Sequence, residues 1–131
     1  MITLTYDTTT IELDPDLRWT DEGQWQAVEQ SAVRTVTGAL VVSTATRAAG
    51  RPITLQPDDD SSAWMSRSTI DTLEAWANAA GRSFVLSLHG VSRNVIFRHQ
   101  DGAGIEYSPV VHYSDVQSGD WYRATFRFME I

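Results

Sequence analysis

The sequence predicts a mainly β fold of the α+β class with one flanking amphipathic helix, and three observations carry that reading. The closing segment "WYRATFRFMEI" sets Tyr122, Ala124, Phe126 and Phe128 on one face and Arg123, Thr125 and Arg127 on the other, the period-two pattern of a strand with one buried side. Shorter runs of that kind recur along the chain between clusters of Gly, Pro, Asp and Ser. One segment alone, "SRSTIDTLEAWANAAG", repeats its apolar residues at helical spacing. At 131 residues the chain is expected to form a single domain, 1–131, large enough for one hydrophobic core.

In order, "ITLTY" and "TIEL" read as a hairpin around a Thr-rich turn. The connector "DPDLRWTDEGQW" is loop by its Pro15, Gly23 and acids, with Trp19 and Trp25 as anchors. "WQAVEQSAVRTVT" has helical propensity, but its Val and Thr content favours a strand. Gly38 turns the chain into "ALVVSTATR", and "AAGRP" turns it again into "ITLQ". These three runs predict a three-stranded meander over residues 26–56. On its middle strand Leu40, Val42 and Thr44 point one way and Val41, Ser43 and Ala45 the other. That mixed pattern predicts a strand covered on both faces, though only loosely by its own core.

"PDDDSSAW" is an acidic loop. In the helix that follows, Ser66 or Ser68 serves as N-cap, Ser68 and Asp71 have capping-box spacing, and Gly81 suits the left-handed residue beyond the C-terminus. Ile70, Leu73, Ala77 and Ala80 form its inward stripe, with Trp76 at the margin. "SFVLSLH" and "NVIFRH" make another hairpin around Gly90. "IEYSPVVHY" is a strand whose Pro109 argues for an edge or a bulge. The last segment is expected to be a central strand.

Composition narrows the function. The chain lacks cysteine, which excludes disulfides, thiolate metal sites and Cys nucleophiles. Its formal charge is −7 and all ten cations are Arg, a poor basis for gripping phosphate backbones. Without Lys there is no P-loop and no Schiff-base chemistry. No apolar run approaches the roughly 20 residues of a membrane span, and "MITLTYDTTT" lacks the pattern of a signal peptide, so a cytoplasmic chain is expected.

Candidate chemistry is sparse. His99 precedes Asp101 by two and His112 precedes Asp115 by three, while His89 stands apart; neither pair matches a metal motif, and polar strand ends account for them. The acids at residues 58–62 lack the alternation of a calcium loop. Asp71 and Glu74 share a helix face, where a wet side is the simpler reading than a glycosidase pair. Gly102 and Gly104 precede no helix and make no nucleotide fingerprint. Trp19, Trp25, Trp64, Trp76 and Trp121 are rich enough to suggest a sugar platform, yet most sit at element ends and suit anchoring. The expectation is a non-enzymatic chain with no cofactor and no metal.

Taken in order, "ITLTYDTTTIEL", the "W…W…V.QS…TGALVV…AGRPITL" block, the "AW" before a capped helix and "DWYRATFRFMEI" resemble the small tail proteins of long-tailed bacteriophages and prophages, above all the distal tail (minor tail) proteins of siphophage tail tips. The resemblance covers nearly the whole chain through hydrophobic, structural segments. It implies a β-sandwich or split barrel akin to the tail-tube subunit, assembled as a hexameric ring in the virion tail after synthesis in the host cytoplasm. It implies as partners the chain itself, the tail-tube protein, and the tip hub and tape-measure proteins, with DNA merely passing through an acidic lumen and no membrane binding. Longer distal tail proteins add a carbohydrate-binding-like domain; this chain is expected to supply the ring domain alone, which leaves room for a tail-tube or tail-terminator role.

In such a ring the half-polar hairpin would meet a neighbouring copy. Its expected interface residues are Ala39, Val41, Ser43 and Ala45, where small side chains let backbones approach, with Arg47 and Arg51 forking onto acids across the boundary. The rival readings are a carbohydrate-binding β-sandwich that uses exposed Trp and a small hydrolase that uses His99 or His112.

Overall fold

A computed structural model describes residues 2–59, 63–100, 102–110, 115, 117 and 119–131. His112, Asp101, the end of the acidic run at 60–62 and much of the segment before the last strand lie outside the described residues. The fold is mainly β with antiparallel pairing and one α-helix among the described residues, as predicted. Strands β1 (Ile2–Tyr6) and β2 (Thr9–Leu13) form the first hairpin. Next come β3 (Leu17–Trp19), β4 (Val28–Arg34), β5 (Leu40–Thr46), β6 (Pro52–Pro57) and β7 (Trp64–Ser66). Helix α1 (Arg67–Ala77) precedes β8 (Phe84–Leu88), β9 (Val91–Phe97), β10 (Ile105–Pro109) and β11 (Trp121–Glu130).

The main sheet runs β2-β1-β8-β9-β11-β6-β3, with β10 and β7 attached to β11. The last strand earns its central place by length and alternation. From Phe128 onward it lies beside β9, and from Phe126 onward beside β6, with Phe128 opposite Phe97 and Phe126 opposite Leu55. Its first half lies between β10 and β7, with Tyr122 opposite Met65 and Ile105 opposite Phe126. Tyr122, Ala124, Phe126 and Phe128 are all buried. Pro109, which cannot donate to a ladder, closes β10, and among the described residues β10 pairs with β11 alone.

Strands β2 and β3 stand at opposite ends of that order, yet residues 14–16 are all that joins them. Four Cα–Cα steps reach at most roughly 15 Å, so the sheet must curl until its two ends approach. Inside the curl Leu4, Leu13, Ile53, Leu55, Leu86, Val95, Phe126 and Phe128 are fully buried. Ile70, Leu73 and Trp76 of α1 complete this core, and Trp76 stacks on Phe84 at 5.6 Å. Arg98 is buried just past β9, where it donates to Phe128 O and Thr54 Oγ1. Thr54 in turn donates to both carboxylate oxygens of Asp21, tying the loop after β3 to β6.

Four local expectations change. The connector before β4 contains β3, too short to show alternation. The capping box is not formed: Ser66 is the N-cap, and Asp71 pairs with Arg67 one turn back at 2.9 Å. The helix ends at Ala77 with Asn78 as C-cap, so Gly81, although at φ +80°, lies three residues further on and Ala80 is exposed. The predicted meander over 26–56 is a two-stranded unit, because β6 leaves β5 and enters the main sheet between β11 and β3. Ile53 and Leu55 of β6 are fully buried in the core; Gly50 at φ +99° makes the turn, its N–H bonded to Glu130 O.

Candidate functional site

The feature without a role in the core is the hairpin β4–β5. Its seven cross-strand pairs run from Val28 opposite Thr46 to Arg34 opposite Leu40. Its turn, residues 35–39, is closed by Thr35 N–H to Ala39 O at 2.8 Å and Gly38 N–H to Thr35 O at 3.0 Å. Gly38 there has φ +86°, a conformation that disfavours side chains. Every residue of both strands is exposed. The expected alternation is present, with Ala32, Val42 and Leu40 on one face and Val33, Val41, Ser43 and Ala45 on the other. Neither face is covered, and this corrects the expectation of a strand enclosed on both sides. Val28, Val33, Val36, Leu40, Val41 and Val42 are each between 47% and 107% exposed. The hairpin is an arm.

The arm is solitary in its ladder but not loose at its base. Arg47, at the end of β5, forks onto Glu29 through Nε at 2.9 Å and Nη2 at 2.6 Å. The same guanidinium lies 5.8 Å from the Trp25 ring, and Arg51 lies 5.6 Å from that ring. Arg51 is also 4.7 Å from the ring of Trp19 and donates to Glu22 O. Arg93 is 5.2 Å from the Trp19 ring and pairs with Glu130 of β11 at 3.2 Å. A continuous file of Arg and Trp therefore runs from the arm to the central strand. Planar guanidinium groups stack on indole faces with roughly 0.5–2 kcal/mol per contact, so the file sets the direction in which the arm leaves the sheet.

Of the expected interface residues, Val41, Ser43 and Ala45 share one exposed face and Ala39 sits at the tip, also exposed. Arg47 and Arg51 stand apart from them: both are engaged with their own chain at the root of the arm. The Arg–Trp file was partly legible, since Trp19 and Trp25 read as anchors. What they anchor was not, because the Arg partners lie up to 74 residues away in sequence.

The other singled-out residues have structural employment. His89 and Gly90, both at positive φ, form the two-residue turn between β8 and β9, and His89 meets Trp19 edge-on at 5.8 Å. His99 packs beside Phe97 and over Gly104, where an added Cβ would fall 2.9 Å from its ring. Asp58 pairs with Arg18. Asp71 and Glu74 part company, Asp71 to Arg67 and Glu74 to the Tyr107 hydroxyl at 2.8 Å. That bond, with burial, raises the Tyr107 pKa above its usual range. Of the five Trp, Trp19 and Trp76 are buried and Trp25 is half-buried, whereas Trp64 and Trp121 are exposed. Compared with protein-family models, curated proteins and solved structures, the chain matches none.

Proposed function

We propose that the chain is a non-enzymatic structural subunit that assembles with copies of itself through the β4–β5 arm. In this reading it is a ring subunit of a long-tailed phage or prophage tail, placed at the distal tip where the tail tube meets the hub and fibre complex. A place in the tube itself or at its terminator is the alternative within the same class. In the same reading the curled sheet with its helix would serve as a split barrel of the tail-tube kind, and the ring would surround a channel.

The observation that carries the proposal is the arm's exposure on both faces. A two-stranded hairpin alone is marginally stable in water, and exposed β-ribbon edges recruit further strands. Six large apolar side chains stand about half to fully exposed on it. Covering them would contribute on the order of 1 kcal/mol each, hence roughly 6 kcal/mol per arm. Association costs about 4–15 kcal/mol. A single arm contact is thus weak, and a closed ring, in which every subunit gives and receives one, is favoured over a dimer.

The test is sedimentation velocity with negative-stain electron microscopy. The native chain is expected to form a discrete closed oligomer as concentration rises. Val33→Glu and Val42→Glu, one on each face of the arm, are expected to remain monomeric with unchanged thermal unfolding. A native chain that stays monomeric at every concentration, or arm variants that assemble as the native chain does, would refute the proposal.

A further inference from the structure

Outside the arm, the largest exposed aromatic surface among the described residues is formed by Trp64 and Trp121, which are 39% and 54% exposed. Their common face follows from register. Tyr122 and Met65 are paired and buried, so the flanking Trp121, opposite Ser66, and Trp64, opposite Arg123, point outward together. They border an open depression of about 520 Å³ whose opposite wall is Glu12, Asp14, Pro15 and Thr69. Glu12, Asp14 and Pro15 lie at or just past the end of β2, whose outer edge has no ladder partner among the described residues, and Thr69 lies on α1.

We infer that this depression receives the arm tip of a second copy. The inference rests on the reading of the arm as a self-association element and names its acceptor. Charge selects the occupant. The chain carries −7 overall, yet Arg34 is the single charged residue between Gln30 and Thr46, so the arm is the part of one copy that can approach another without repulsion. Near its tip Val33, Val36 and Leu40 are exposed, and Arg34, paired with Leu40, now turns back to Gly38 O at 3.3 Å. The depression offers the complement: two indole faces for the apolar groups and for the guanidinium, and the carboxylates of Glu12 and Asp14. The free edge of β2 can meanwhile pair with an outer edge of the ribbon. Arm and depression are different surfaces, so the contact is head-to-tail, a kind that closes into a ring where the rotation between copies closes and otherwise runs on as a filament. An arm-to-arm contact would instead end at a dimer and bring two Arg34 residues together.

The cysteine-free sequence makes the contact directly testable. Thr37→Cys in one chain and Pro15→Cys in another are mixed under mild oxidation, with Val91→Cys, at the start of β9, replacing Pro15→Cys as control. The expected result is a disulfide-linked heterodimer with Pro15→Cys and little with Val91→Cys. Trp121→Ala is expected to weaken assembly about 30-fold, the effect of a hot-spot aromatic. Glu12→Arg and Arg34→Glu are each expected to weaken it, and to restore it when mixed. If Trp121→Ala assembles normally and no cross-link forms, the acceptor lies elsewhere and this inference falls while self-association through the arm survives. If Val33→Glu also assembles normally, both fall. Soluble oligosaccharides that quench the Trp fluorescence of the native chain but not of Trp64→Ala would assign the depression to sugar and overturn the inference.

Discussion

Arg51 shows how much one side chain can decide. It was expected on sequence grounds to reach across a subunit boundary, and in the structure its guanidinium lies against both Trp19 and Trp25 while donating to Glu22 O. It is the middle member of the file that joins the arm to β11. Two stacked contacts predict that Arg51→Ala costs about 1–2 kcal/mol in urea unfolding. The conservative variant is informative because lysine keeps the charge without the plane. Arg51→Lys is expected to recover less than half of that loss, and to assemble less well than the native chain because the arm's direction is no longer fixed. Full recovery of both would show that charge alone matters at this position.

At the scale of elements, the attachment of α1 to the sheet edge has a titratable latch. Tyr107 of β10 donates its hydroxyl to Glu74 of α1, and Arg67 lies 5.3 Å from the Tyr107 ring and 5.1 Å from that of Tyr122. The bond to Glu74 and burial raise the phenol above its ordinary 10.0. A group whose folded pKa is raised contributes stability that is fully present below the unfolded value and lost as pH climbs through the folded one. Tyr107→Phe is therefore expected to cost about 0.5–1.5 kcal/mol at pH 7, a difference that shrinks only above the ordinary tyrosine value. Urea midpoints of both chains across that range measure it; a gap that closes below pH 9 would refute the latch.

What was legible in the sequence also sorts by element. Strands that carry three or more inward residues, such as β8 and β11, announced themselves, as did the helix with its apolar stripe. Strands β3 and β7 are three residues long, too short for alternation to rise above the loops around them. The partner of β6 was misjudged because sequence adjacency suggests a meander, while the pairing that forms is with β11, more than 70 residues away. The arm was the subtlest case. Its mixed pattern is the same whether a strand is half-covered by its own core or bare and waiting for another chain, and only the three-dimensional course of β6 separates the two. The shared face of Val41, Ser43 and Ala45 on β5 was thus legible, whereas the Trp64–Trp121 face depends on a register that no local signal encodes.

For the whole molecule, the proposed self-association sets net charge against the arm, and magnitude decides between them. Two bodies of charge −7 with centres about 35 Å apart, the diameter of a domain this size, repel by roughly 6 kcal/mol in unscreened water. A Debye length of about 30 Å at 0.01 M salt leaves about 2 kcal/mol of that, and one of about 8 Å at 0.15 M leaves almost nothing. Against this, an exposed pair such as Arg34 with Glu12 contributes roughly 0.2–1 kcal/mol and is itself screened. Repulsion is the larger effect at low salt. Raising NaCl from 0.01 to 0.15 M is therefore expected to strengthen self-association about 10- to 30-fold in sedimentation equilibrium. Apolar burial by the arm, which salt of this kind barely touches, then supplies the attraction that remains. Assembly that weakens over the same range would mean that ion pairs, and not the bare Val and Leu of the arm, hold the copies together.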